Sequence, residues 1–177
     1  MTGLTTAPPS TAWTRRASLQ ALAAACLPGA AFALEPPTEA VVLSLSGRLR
    51  MRNRGAEAAF DMPMLQALPQ QRLITRTPWY AKARQFSGPL LRSVLSAAGA
   101  QGTLLRLKAL NDYQVDMPWD DPQRFDVLLA LSLDGQPMGV RDKGPLMVIY
   151  PFDAQPELRS AVYYSRSAWQ LRSIEVL

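Results

Sequence analysis

No histidine occurs anywhere in the 177 residues, and the only cysteine is Cys26. A chain so composed has no disulfide to staple it and no imidazole or mature thiolate to hold a structural metal, so it must fold by burying a hydrophobic core. With 48% hydrophobic and 19% charged residues, it has enough apolar material for one such core. The same absences remove Ser-His and Cys-His nucleophilic machinery. The formal charge is +5, and removing Arg15 and Arg16 leaves 17 basic against 14 acidic residues, about +3. A charge that small and scattered argues against a nucleic-acid partner, which wants basic side chains on one face.

The front of the chain reads as an export signal. Thr14-Arg15-Arg16-Ala17-Ser18-Leu19-Gln20 precedes an apolar run to Phe32, and Ala31-Phe32-Ala33 offers the small residues that signal peptidase reads. Residues 1–33 are therefore expected to be removed before Leu34, leaving a periplasmic protein of residues 34–177. The paired arginines favour the twin-arginine route over an ordinary Sec signal. Ala23-Ala24-Ala25-Cys26 falls short of a lipoprotein box, which has leucine three residues before the cysteine. The apolar stretch is broken by Pro28 and Gly29, and no later stretch is long enough to span a bilayer.

The mature region reads as many short strands and few helices. Val41–Leu45 alternates as a strand, and Arg48, Arg50, Arg52 and Arg54 alternate as a solvated edge strand rather than an anion site. Asp61 can cap a short helix over residues 62–67, with Pro63 in its first turn. Strands are expected over 71–75, 104–110, 114–117, 125–132, 146–150, 162–165 and 171–177, and a helix over 88–98 that stops at Gly99. Strand alternation would send one of Tyr163 and Tyr164 inward and the other outward. Asp120-Asp121-Pro122 reads as a helix or turn start and nothing more. The class is α+β: a single β-rich, mixed-sheet, barrel-like domain.

The order of Phe86-Ser87-Gly88-Pro89-Leu90-Leu91, Ala109-Leu110-Asn111-Asp112-Tyr113, Val127-Leu128-Leu129-Ala130, Asp134-Gly135-Gln136-Pro137-Met138, Gly144-Pro145-Leu146 and Ile174-Glu175-Val176 resembles the molybdopterin-binding domain of the sulfite oxidase fold. The resemblance covers roughly residues 60–177. It implies a cysteine ligand to molybdenum a few residues before Trp79, where Thr75 stands instead; a hydroxyl does not replace a thiolate at a soft site. Met147 stands where the family has an arginine after the Gly-Pro-Leu motif, and Ala168-Trp169 where it has a phosphate-binding lysine. No molybdenum is expected.

Within that fold the chain is most similar to the PruR-type periplasmic pterin-binding proteins. The shared motifs are Thr77-Pro78-Trp79, Asn111-Asp112-Tyr113, Arg141-Asp142-Lys143-Gly144-Pro145, Tyr150-Pro151 and Arg166-Ser167-Ala168-Trp169-Gln170-Leu171. The resemblance implies a non-catalytic protein that binds a free pterin of the neopterin or monapterin kind. It further implies that occupancy is signalled to a membrane-bound diguanylate cyclase or phosphodiesterase of cyclic-di-GMP. The alternative is a molybdopterin-dependent oxidoreductase with an unusual ligand set.

A pterin is a flat bicycle with an amidine-like edge that presents two parallel N–H donors. Trp79, Tyr113 and Trp169 are candidate platforms for its face, and Asp112 a candidate acceptor for both donors. Arg141 or Arg166 can reach the ring carbonyl, Asn111 can serve an edge, and Ser167 belongs to the same motif. Each has a plainer reading. Trp79 can be core, Asn111-Asp112 can be a turn, and the Arg141–Gly144 stretch, Lys143 above all, can be a solvated loop.

Overall fold

Residues 2–3 and 34–177 are described by a computed structural model, so the expected signal peptide, its paired arginines and Cys26 lie outside the described residues. Among the described residues eleven strands and four short α-helices follow in chain order. β1 (Val41–Gly47), β2 (Ala58–Asp61), α1 (Met62–Ala67), β3 (Gln70–Thr77) and β4 (Tyr80–Pro89) lead to α2 (Leu91–Ala97). Then come β5 (Leu104–Ala109), β6 (Gln114–Pro118), α3 (Asp121–Arg124), β7 (Leu128–Ala130), β8 (Ser132–Leu133) and β9 (Gln136–Pro137). β10 (Met147–Ile149), α4 (Ala161–Arg166) and β11 (Leu171–Val176) close the chain. No described helix is long and apolar enough to cross a membrane.

These strands form three sheets, ordered β2-β1-β11-β5-β6, β3-β4-β8-β9 and β10-β7. β1 and β11 run parallel and every other pairing is antiparallel. The sheets are open, which corrects the expectation of a barrel-like closure. Period-two burial explains the first sheet: Leu105, Leu107 and Ala109 point inward from β5 while Leu104, Arg106 and Lys108 point outward. On the outer face Arg106 stands opposite Asp116 of β6 and donates to it at 2.9 Å. β7 and β10 are buried throughout, in keeping with their continuous apolar sequences.

Asp61 caps α1 as the sequence implies, accepting from the Met64 N–H at 2.9 Å. Three other elements depart from expectation. β4 runs from the Trp79 turn to Pro89, where no strand was legible among the polar residues 80–85, so α2 begins only at Leu91. Residues 48–57 form a loop against the end of α2, not an edge strand, pinned by Arg50 N–H to Gly99 O and Met51 N–H to Ala98 O. Residues 161–166 are helix, not strand. Their aromatic and β-branched content favours a strand locally, but packing overrides it. Adjacent residues on a helix lie about 100° apart, so both Tyr163 and Tyr164 reach the core, which a strand would forbid. Tyr163 meets Phe125 and Tyr150 at centroid distances of 5.6 and 5.3 Å, and Tyr164 meets Phe152 at 5.0 Å.

Candidate functional site

The turn between β3 and β4 carries Trp79 into a cluster of aromatic rings. Its indole lies 5.7 Å from Trp169, 6.2 Å from Tyr164 and 6.3 Å from Phe152, the last two edge-to-face. Two candidate platforms far apart in sequence are thus neighbours. Both are half-buried and both pack against buried core residues.

Beside this pair lies a cleft of about 400 Å³, within the size range of small-molecule sites. Tyr80, Arg84, Asp134, Arg141, Asp142 and Lys143 are among its walls. The Lys143 ammonium sits 4.6 Å from the Trp169 ring centre and 5.3 Å from that of Tyr80, so it joins the cleft to the tryptophan pair. Lys143 occupies a left-handed position (φ 70°) at the end of the 3-10 turn Val140–Asp142. The next residue must be glycine, because a Cβ on Gly144 would fall 2.1 Å from the Met138 carbonyl oxygen. Gln170 ties this turn to the tryptophan segment, donating from its backbone to Lys143 O at 2.9 Å and from its side chain to Val140 O at 2.7 Å.

The cleft is electrostatically mixed. Arg84 donates to Asp134 at 2.5 Å and lies 5.0 Å from the Tyr80 ring centre. The Gln85 N–H, with Arg84, holds the Asp134 carboxyl below the usual carboxylate value against the opposing effect of burial. Burial pushes the Tyr80 hydroxyl up; Arg84 opposes this, and Asp142 and Asp134 add to it. Arg141 is exposed on the rim.

The other sequence candidates have different contacts. Asn111, Asp112 and Tyr113 form the β5–β6 turn, with Asp112 at φ 63° and paired to Lys108 at 3.3 Å. Asn111 Oδ1 accepts from the Tyr113 N–H, and the Tyr113 hydroxyl donates to Ser165 O at 2.9 Å. Arg166 donates to Asp121 at 2.9 Å. Ser167 is buried and donates its hydroxyl to Tyr163 O at 3.0 Å. Tyr80 and Arg84 line the cleft without any motif of their own to mark them in the sequence. Lys143 reads in the sequence as a solvated loop residue and here lies against two rings, and Asp121, which reads as a helix or turn start, is 6% exposed and the anchor for Arg166.

Thr75 is fully buried on β3, and its hydroxyl is engaged in both directions. It accepts from the Asp153 N–H at 3.1 Å and donates to Arg76 O at 3.3 Å. Among the described residues no group of three or more His, Cys, Asp or Glu side chains is placed to hold a metal.

No protein-family model matches the chain, and no curated protein matches it. Among solved structures it is similar to the sulfane dehydrogenase SoxCD from Paracoccus pantotrophus, with a TM-score of 0.55 at 14% identity. The fold is sulfite-oxidase-like. The superposition covers 76% of this chain and 37% of that one, so this chain spans well under half the length of the dehydrogenase. At that identity the likeness establishes the fold alone.

Proposed function

We propose that this chain is an exported, non-catalytic binding module for a flat pterin-class molecule, of the PruR type. The observation that carries the reading is Lys143, held between the Tyr80 and Trp169 rings at the inner wall of the 400 Å³ cleft. Together they give an aromatic surface and a cation beside a small hollow. Asp142 offers a carboxylate on the same wall to match an amidine-like edge, and Arg141 can reach a ring carbonyl. Asp112, already paired to Lys108 in a hairpin turn, is the weaker acceptor of the two.

The donor set does not fit a molybdenum centre. The position that resembles the family's cysteine is Thr75, whose hydroxyl is committed to Asp153 and Arg76, and residues 34–177 contain neither cysteine nor histidine. The oxidoreductase reading is favoured by the sulfite-oxidase-like fold and opposed by this hydroxyl. Elemental analysis of protein made in a molybdenum-replete host separates the two, since stoichiometric metal reverses the ranking.

In the signalling step, the periplasmic domain of a membrane-bound cyclic-di-GMP enzyme would bind one ligand state of this protein better than the other, which shifts that enzyme's equilibrium. The test is a titration with oxidised and reduced neopterin, followed by tryptophan fluorescence, together with mass spectrometry of small molecules released from the purified protein. Saturable binding weakened by Lys143→Ala and Asp142→Ala supports the reading. A flat titration and no released pterin remove it.

A further inference from the structure

A second concave surface lies on the α2 side of the molecule, lined by none of the residues that line the Tyr80 cleft. It is a groove of about 1080 Å³ with Met51, Leu68, Leu95, Ala97, Ala100 and Trp119 among its lining residues. It continues through Gln101 and Gly102 into a second hollow of about 610 Å³, walled by Arg48, Arg50 and Arg52. Among the described residues no aspartate, glutamate or lysine lines either hollow. Tryptophan, methionine and arginine without acidic residues or lysine is the composition that protein interfaces enrich.

Arg48 and Arg50 stand on fixed backbone. Arg48 N–H donates to Val176 O, Arg50 N–H to Gly99 O, and Gln101 N–H to Arg48 O, at 3.0 to 3.3 Å. Among the described residues none of Arg48, Arg50 and Arg52 makes an ion pair, and Arg50 meets only the amide oxygen of Gln101. Three exposed cations, two of them on pinned backbone, thus wall the end of an apolar trough, and among the described residues no carboxylate pairs with them.

We infer that this groove docks an acidic segment of a partner protein, with an apolar side chain seated against Trp119 and carboxylates on the arginine row. Charge complementarity selects that occupant. A second copy of this chain in an isologous contact would set the arginine end of one groove against the other end of its partner's, where the described lining offers no carboxylate. A nucleic acid would leave the apolar trough without a use. The inference stands apart from the pterin reading, because it involves neither Tyr80, Lys143 nor the tryptophan pair.

The test pans a short-peptide display library against the full chain, then measures affinities of the enriched peptides by fluorescence anisotropy across a salt series. Acidic peptides with an aromatic or leucine anchor are expected. Trp119→Ala should weaken them roughly thirtyfold or more. Because Trp119 also packs on the core, the exposed double variant Arg50→Glu with Arg52→Glu serves as the second arm. It should weaken binding and flatten its salt dependence while leaving the circular dichroism and melting unchanged. Enrichment of neutral or basic peptides overturns the inference, as does binding that the double variant leaves intact. Stronger binding to DNA, or self-association through Trp119 in sedimentation, overturns it too.

Discussion

Arg166 and Asp121 are joined at 2.9 Å, and the same carboxylate oxygen accepts the Tyr150 hydroxyl at 2.6 Å. Asp121 is 6% exposed and Tyr150 fully buried, so the three groups tie α4 to α3 and to the segment after β10. Burial first, and Asp121 second, push the Tyr150 hydroxyl up, so it remains a donor at every ordinary pH. Asp121→Ala strands a buried hydroxyl and a partly buried cation, and should cost about 2–4 kcal/mol. Tyr150→Phe removes one donor while Arg166 still pairs the carboxylate, and should cost about 1–2 kcal/mol. Urea unfolding of the single variants checks the order. Equal costs would mean that the ion pair adds nothing.

Lys143 serves the tryptophan pair and the cleft together, so its removal should register in two measurements. Lys143→Ala forfeits cation–π contacts with Trp169 and Tyr80, at about 0.5–2 kcal/mol of stability. It should also weaken pterin uptake by about tenfold or more, the scale of one charge-assisted contact. Asp112→Asn alters only an exposed pair with Lys108 and should change stability by less than about 0.5 kcal/mol. Denaturation and ligand titration of both variants decide whether the cleft or the β5–β6 turn holds the ring. Loss of uptake in Asp112→Asn with none in Lys143→Ala would move the site to the turn.

Asp61 gives stability a defined acid dependence. The Met64 N–H first, then those of Glu39 and Thr38, hold its carboxyl below the ordinary value of 3.8, against the opposing effect of burial. A depressed carboxylate contributes its full share above the unfolded value and loses it as pH falls through the folded one. Stability should therefore decline below about pH 4 and continue to fall at more acid pH. Asp61→Asn should be less stable at neutral pH and show a flatter acid limb, as read by urea midpoints across the acid range. An unchanged limb would place the acid sensitivity elsewhere.

The fold was largely legible in the sequence because its elements carry local signals. Asp61 and Pro63 announce α1, alternation announces β5, and unbroken apolar runs announce β7 and β10. The misses share a physical cause, which is tertiary override. Residues 80–85 form half of β4 through pairing with β3 and not through any pattern of their own. Residues 161–166 become a helix because two neighbouring tyrosines must both enter one aromatic cluster. The meeting of Trp79 with Trp169 depends on the whole of residues 80–168 between them and could be expected only from the resemblance. The rings against which Lys143 lies are not legible, because a turn composition says nothing of which rings the turn folds against. Nor is the part Asp121 plays, because a helix start and a buried ion-pair anchor read alike.

Gly88 tests the join between the β3-β4-β8-β9 sheet and the β10-β7 sheet. It lies on β4, buried, where the strand passes β7, and a Cβ there would come 2.0 Å from the Leu129 carbonyl oxygen and 3.0 Å from its carbon. Both are backbone atoms of a strand that β10 already holds, so no rotamer change relieves the overlap. Gly88→Ala must push β4 away from β7 and should cost about 1–3 kcal/mol, as overpacking of a filled interior does. Ser87 is next in the same strand but only half-buried, and its backbone carbonyl accepts the Leu131 N–H whatever its side chain. Ser87→Ala should thus stay within about 0.5 kcal/mol of the parent. Hydrogen exchange should quicken at Leu128–Ala130 in Gly88→Ala and not in Ser87→Ala. Equal protection in the two would mean that these sheets do not meet as closely as the strand spacing requires.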